Sequence, residues 1–172
     1  MDFTLDLQSL GWLDALFRVV LAMLFGFCLG YDRSIKNKPI DFRVYMIVAT
    51  TTCLLAKMGN ELYFIYQGSS NLLEMDILRL VEGVLVGIGF LGAGAIIKGE
   101  GQNILGSATG ASIWSAGAMG LMLGFGLYGL AILGFLVLAV TLILFGRLRG
   151  PLFHESEVYH QEKKTKSEDK KE

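Results

Sequence analysis

The 172 residues carry 15 Lys and Arg against 16 Asp and Glu, a formal net charge of −1, so the chain presents no basic surplus for nucleic acid. Hydrophobic residues make up 53% and charged residues only 18%, well short of the charged quarter of soluble domains, which excludes an ordinary soluble fold. Charge is also segregated, with eleven charged side chains in residues 155–172 and none in residues 101–146.

Five apolar stretches occupy residues 10–30, 44–62, 77–98, 104–123 and 127–148, with ends set to about 3 residues. Each approaches the roughly 20 residues that a helix rising about 1.5 Å per residue needs to cross the hydrocarbon. The expected fold is an all-α membrane protein, a bundle of about five transmembrane helices over residues 1–149. Residues 150–172 are expected to be a charged, disordered cytoplasmic tail, because they show no apolar periodicity.

In the first stretch Asp2 and Asp6 precede the apolar run and no small-x-small site closes it, so it reads as a retained span rather than a cleaved signal. Arg33, Lys36, Lys38 and Arg43 lie between the first and second spans, residues 61–76 are acidic with no Lys or Arg before Arg79, and Arg147 and Arg149 open the tail. Cytoplasmic loops retain Lys and Arg, so the orientation expected is N-outside and C-inside, with Tyr63, Phe64 and Tyr66 at the outer interface. Cys28 and Cys53 fall inside spans and read as packing residues.

The third stretch contains "VLVGIGFLGAGAIIKGEG", in which Gly87, Gly89 and Gly92 have the G-x-G-x-x-G spacing of a dinucleotide loop. That loop needs a strand before it, a helix after it and an acid about 20 residues on, and none of this context is present. Helix packing replaces it. At about 100° per residue Gly83, Gly87 and Gly94 share one side, while Gly89, Gly92 and Ala93 lie round the other. Small residues allow close approach in lipid, which places the third span in the middle of the bundle. In the fourth stretch Ala108, Ser112, Ala116 and Gly120 recur every four residues, flanked by Gly106, Gly110 and Gly117, as a natural partner for the third. A glycine-dense helix that unwinds to line a polar path is the competing reading.

Charges inside spans cost at least about 2.5 kcal/mol at mid-membrane and tend to be paired or functional. Arg18, Arg79 and Glu82 stand out. Arg18 and Glu82 enter from the same face and are expected to form an intramembrane pair, with Asp14, one turn before Arg18, as the competing partner and Asp76 near Arg79 at the surface. A second, cytoplasmic-side cluster is expected from Asp32, Arg33, Lys38, Arg43 and Lys98, with Glu100 beside it and Pro39 breaking any helix between the first two spans.

These residues carry a family resemblance. The run "LGYDRSIKNKPIDFRVYMIV" is similar to the signature L-G-x-E-R followed by K-P-x-G-x-R-T-x-x-L-V of the MgtC/SapB family of bacterial membrane proteins. "GIGFLGAGAIIKGEGQNILGSATGASIW" resembles that family's second signature, with Asn103, Gly106 and Trp114 matching in its loop and following helix. Arg18 matches an arginine usual in the family's first span. Asp32 stands for the family glutamate, Ile40 and Asp41 for Ala-Gly, and residues 107–110 for Leu-Thr-Thr-Ala, which marks a divergent member.

The resemblance implies a multi-pass protein of the bacterial inner membrane, often a homo-oligomer such as a dimer, tied to magnesium limitation and, in pathogens, to virulence. It also implies regulation of other membrane proteins, an F-type ATP synthase among them, in place of magnesium transport. The best-studied branch carries a folded cytoplasmic domain where this sequence has residues 150–172. Two functions are therefore expected in order: a non-enzymatic regulator that docks a partner membrane protein or a second copy, and a cation or small-solute transporter with Arg18 and Glu82 on its path. No catalytic constellation, metal site or cofactor loop is legible. Magnesium lacks a clear site, since a magnesium path offers several oxygen ligands and Glu82 is the one acid placed clearly inside a span.

Overall fold

A computed structural model describes residues 11–35, 40–66, 76–98 and 104–144, with Asp32, Ile97, Lys98, Ile104 and Leu105 described in backbone only. Expectations for Lys38, Asn103 and the tail 150–172 lie outside the described residues. Among the described residues there are five helices: α1 Trp12–Ile35, α2 Phe42–Tyr66, α3 Ile77–Gly94, α4 Ser107–Gly124 and α5 Tyr128–Leu144. A two-residue antiparallel ladder joins α3 to α4, with β1 Ile97–Lys98 against β2 Ile104–Leu105 and Ile97 opposite Leu105. Helices α1 and α3 are long and apolar enough to cross a membrane.

The ends of the helices follow from local chemistry. Asp76 caps α3, its carboxylate accepting from the Leu78 N–H at 2.9 Å and the Arg79 N–H at 3.4 Å. The third apolar stretch, expected to run to Lys98, is helical only to Gly94, and the ladder follows shortly after. Gly106, at φ 88, then turns the chain into α4, and a Cβ there would collide with the Ala95 carbonyl. The end of α4 is a Schellman motif: Gly126, at φ 81, donates to the Leu123 carbonyl and Leu127 to that of Met122.

The core helix is α4. It packs against α1, α2 and α3, and most of its residues are buried, among them Thr109, Ser112, Ile113, Ala116, Met119 and Leu123. Its small residues allow this. A Cβ on Gly120 would strike the Ala49 carbonyl and the Thr52 hydroxyl of α2, so at this position α2 and α4 approach almost to backbone contact. Thr52 joins the two helices further, its hydroxyl lying 2.9 Å from the Gly117 carbonyl.

This corrects the expectation that the third span lies at the centre. Only Ile88 and Gly92 of α3 are buried, while Leu78, Val86, Phe90 and Leu91 are exposed. Gly92 packs on the bare backbone of Gly110, Ile88 fills the notch at Gly117 of α4, and Leu80 fills that at Gly59 of α2. A Cβ on Gly83, Gly87, Gly89 or Gly94 would meet no atom of another element within 4 Å among the described residues. A glycine pattern shows where a helix could approach but not whether one does, and here α4, small on nearly every side, takes the central place.

The contact pattern divides the chain into a unit of residues 1–134 and a second of residues 135–172. In the second, Thr141 donates to the Val137 carbonyl one turn back, a bond that keeps a hydroxyl satisfied within a helix.

Candidate functional site

Two arginines of α1 turn inward among the helices, one at each end of α4. Arg18, with 7% of its surface exposed, donates from Nη1 to the Gly124 carbonyl at 2.9 Å, at the last turn of α4 where carbonyls lack helical partners. A cation there also meets the negative end of the helix dipole. Its Nε lies 2.6 Å from Asp14 Oδ2, an ion pair across one turn of α1 without hydrogen-bond alignment. Its guanidinium carbon is 5.4 Å from the Tyr128 ring centroid, and the Tyr128 hydroxyl donates to Asp14 Oδ1 at 3.4 Å. Gly126 is needed here twice over, for its positive φ and because a Cβ would approach Arg18 Nη1 to 2.8 Å.

The expected Arg18–Glu82 pair does not form. Glu82 is exposed on α3, which packs on α4 and α2, whereas α1 packs mainly on α2 and α4. The competing partner Asp14 wins because a residue four positions away on one helix is already in reach, with no second helix to be brought close. Asp76 and Arg79 do approach, to 4.0 Å in the open, but Asp76 serves first as the α3 cap.

Arg33 occupies the other end. It is 7% exposed and donates from Nη2 to the Thr109 hydroxyl at 2.8 Å, in the first turn of α4. Tyr45 of α2, fully buried, brings its hydroxyl beside Arg33 and Thr109 without an aligned hydrogen bond, and Arg33 Nε is likewise unpartnered. Of the expected cytoplasmic-side cluster, Arg33 and Arg43 are the members whose side chains are described, and these two do not pair with each other. Arg33 turns inward, whereas Arg43 stays exposed and pairs with its near neighbour Asp41 at 3.1 Å. Lys98 is placed in β1 by its backbone.

A third charged group is one that the sequence reading misses. Lys57 and Glu61, four apart on α2, form an ion pair at 3.1 Å with side chains 6% and 14% exposed. Its signal is present, a Lys and a Glu at helical spacing inside an apolar stretch. Tyr45 and Thr109 are missed for a different reason, since nothing in their own neighbourhoods marks them as meeting Arg33. Of the expected packing residues, Gly92, Ser112, Ala116 and Gly120 are buried, and Trp114 of the second signature is partly exposed on α4.

The sequence model of the MgtC family matches residues 19–150. Protein SapB of Bacillus subtilis is 31% identical over 128 residues, covering 74% of this chain and 55% of SapB. Protein SrpB of Synechococcus elongatus is 34% identical over 146 residues, covering 80% of this chain and 78% of SrpB. An Escherichia coli K12 relative named "Putative magnesium transporter YhiD" is 30% identical over 154 residues, covering 86% of this chain and 66% of YhiD. The chain thus spans a little over half the length of SapB. No solved structure matches. With a family match over most of its length, running from within α1 through α5, the chain belongs to the MgtC family.

Proposed function

We infer that this chain is a non-enzymatic, multi-pass protein of the bacterial inner membrane, with five spans oriented N-outside and C-inside. It regulates other membrane proteins when magnesium or other ions are limiting. The observation that carries the reading is the open side of α3. Among the described residues a Cβ on Gly83, Gly87 or Gly94 would meet nothing within 4 Å, and these glycines lie beside exposed Val86, Phe90 and Leu91. In lipid, such a surface favours a second transmembrane helix, because close van der Waals contact drives association there. The docking face belongs in this reading to α3, since α4 uses its small residues internally. Its occupant is another membrane protein or a second copy of the chain.

Purification from native membranes in a mild detergent, with and without Gly87→Leu, tests this. A defined co-purifying partner or homodimer that Gly87→Leu removes supports the reading. Association untouched by Leu at Gly83, Gly87 and Gly94 rejects it.

Transport of a cation is the second reading, favoured by the name of the Escherichia coli relative. Against it, among the described side chains the acids that reach in among the helices, Asp14 and Glu61, each already hold a cation of their own helix. Reconstituted vesicles decide: protein-dependent flux of magnesium, potassium or protons supports transport, and its absence removes it.

A further inference from the structure

The two ends of α4 are unequally served. Arg18 has a carbonyl, a carboxylate and a ring face, and it stands where the helix dipole is negative. Arg33 donates to one neutral hydroxyl, that of Thr109, with the Tyr45 hydroxyl beside it, and it stands where the dipole is positive. Among the described side chains no carboxylate lies within ion-pair distance of it. Among the described side chains this buried guanidinium, with its Nε unused, has no counter-charge, and it stands at the positive end of a helix.

The groups around it are of one kind. The Tyr45 hydroxyl is fully buried beside Arg33 and Thr109, without an aligned hydrogen bond to either. Thr109 accepts from Arg33, which leaves its own O–H to donate. Gly106 gives α4 no side-chain cap, and the first helical bond is made by the Gly110 N–H, so the amides of residues 107–109 have no acceptor within the helix. The side chains of Arg33, Tyr45 and Thr109, from three helices, meet at the positive dipole end of α4. The chemistry that satisfies all of them is a compact anion with several acceptor oxygens.

We propose that Arg33, Tyr45 and Thr109 form a binding site for a phosphate oxyanion at the N-terminal end of α4. The Arg33–Thr109 bond is the empty form of the site, in which a hydroxyl occupies the acceptor position that a phosphate oxygen takes on binding. Burial strengthens the interaction by excluding water. The phosphate comes either free from solution or on a lipid headgroup, since Arg33 stands two residues before the end of α1.

The test uses the full chain. Thermal unfolding in an uncharged detergent is followed against inorganic phosphate, with sodium chloride at matched ionic strength as reference. The same measurement is made in phosphatidylcholine nanodiscs with and without phosphatidylglycerol. A saturable rise in Tm with inorganic phosphate assigns the site to free anion, and a rise confined to phosphatidylglycerol assigns it to a lipid headgroup. Either must vanish in Arg33→Gln and weaken about tenfold in apparent Kd in Tyr45→Phe, which keeps the ring and loses one donor to a charged acceptor. Tyr45→Phe keeps the test decisive if Arg33→Gln fails to fold. The proposal is overturned if neither phosphate source raises Tm, or if Tyr45→Phe responds as the parent does.

Discussion

Arg18 and Arg33 stand fifteen residues apart on α1, and the groups they hold, the Gly124 carbonyl and the Thr109 hydroxyl, stand fifteen residues apart on α4. At about 1.5 Å per residue both intervals are about 22 Å, so two antiparallel helices are pinned in one register at both ends. A slip of α1 along α4 by one turn would unmake both contacts together.

Removing the Arg18 guanidinium leaves Asp14 without its cation and the Gly124 carbonyl without its donor. Arg18→Gln should destabilise the protein by about 3 kcal/mol, the scale for breaking a largely buried pair. Glu82→Gln, on an exposed side chain, should change stability by less than about 0.5 kcal/mol. Denaturation in detergent compares the two. Equal losses, or rescue of Arg18→Glu by Glu82→Arg, would show that α1 and α3 share a charge pair after all.

The Lys57–Glu61 pair allows a sharper test. Lys57→Met alone takes the cation from beside a largely buried carboxylate and should cost about 3 kcal/mol, while Lys57→Met with Glu61→Met removes both charges and should recover most of it. The measurement is unfolding midpoint for the single and double variants. A double variant as unstable as the single would mean that the two residues act through separate partners.

Glycines on α3 and α4 should respond to alanine with opposite sign. Gly120→Ala forces a Cβ into the Ala49 carbonyl and should cost about 1–3 kcal/mol. Gly87→Ala meets open space and should stabilise the isolated protein by up to about 1 kcal/mol through helix propensity. Thermal melts of monomer in detergent read both, and a destabilising Gly87→Ala would reveal a neighbour packed on that face.

Gly106→Ala tests the turn into α4. The residue must then adopt φ 88 with a side chain, at a cost of about 1–2 kcal/mol, and displace the Ala95 carbonyl besides. Loss of protein level together with a lowered melting point is expected. An Ala variant as stable as the parent would show that the turn adjusts freely.

The five apolar stretches are legible because hydropathy integrates over some twenty residues and tolerates local exceptions. Their ends move where single residues override the run, as at Gly94 and Gly106. Which helix lies innermost is not legible. Gly92 and Gly87 sit five residues apart in one motif, yet one is pressed against Gly110 and the other is bare. Composition is the same for both, and only the arrangement of neighbours separates them. The partner of Arg18 is misjudged when a long-range pair is preferred over a carboxylate one turn away. Lys57 escapes notice because its apolar surroundings mask it in an averaged profile. Arg33 reads as a surface anchor, and its inward turn depends on Tyr45 and Thr109, one on the next helix and the other 76 residues away.

The bare crossing of Gly92 on Gly110 has a mechanical consequence for α3. Two backbones in contact carry no interlocking side chains at that level, so the crossing resists separation without fixing rotation about the helix axis. Ile88 in its notch on α4 and Leu80 in its notch on α2 contribute to the angular setting of α3, and with it to the azimuth at which Glu82 and Phe90 point outward.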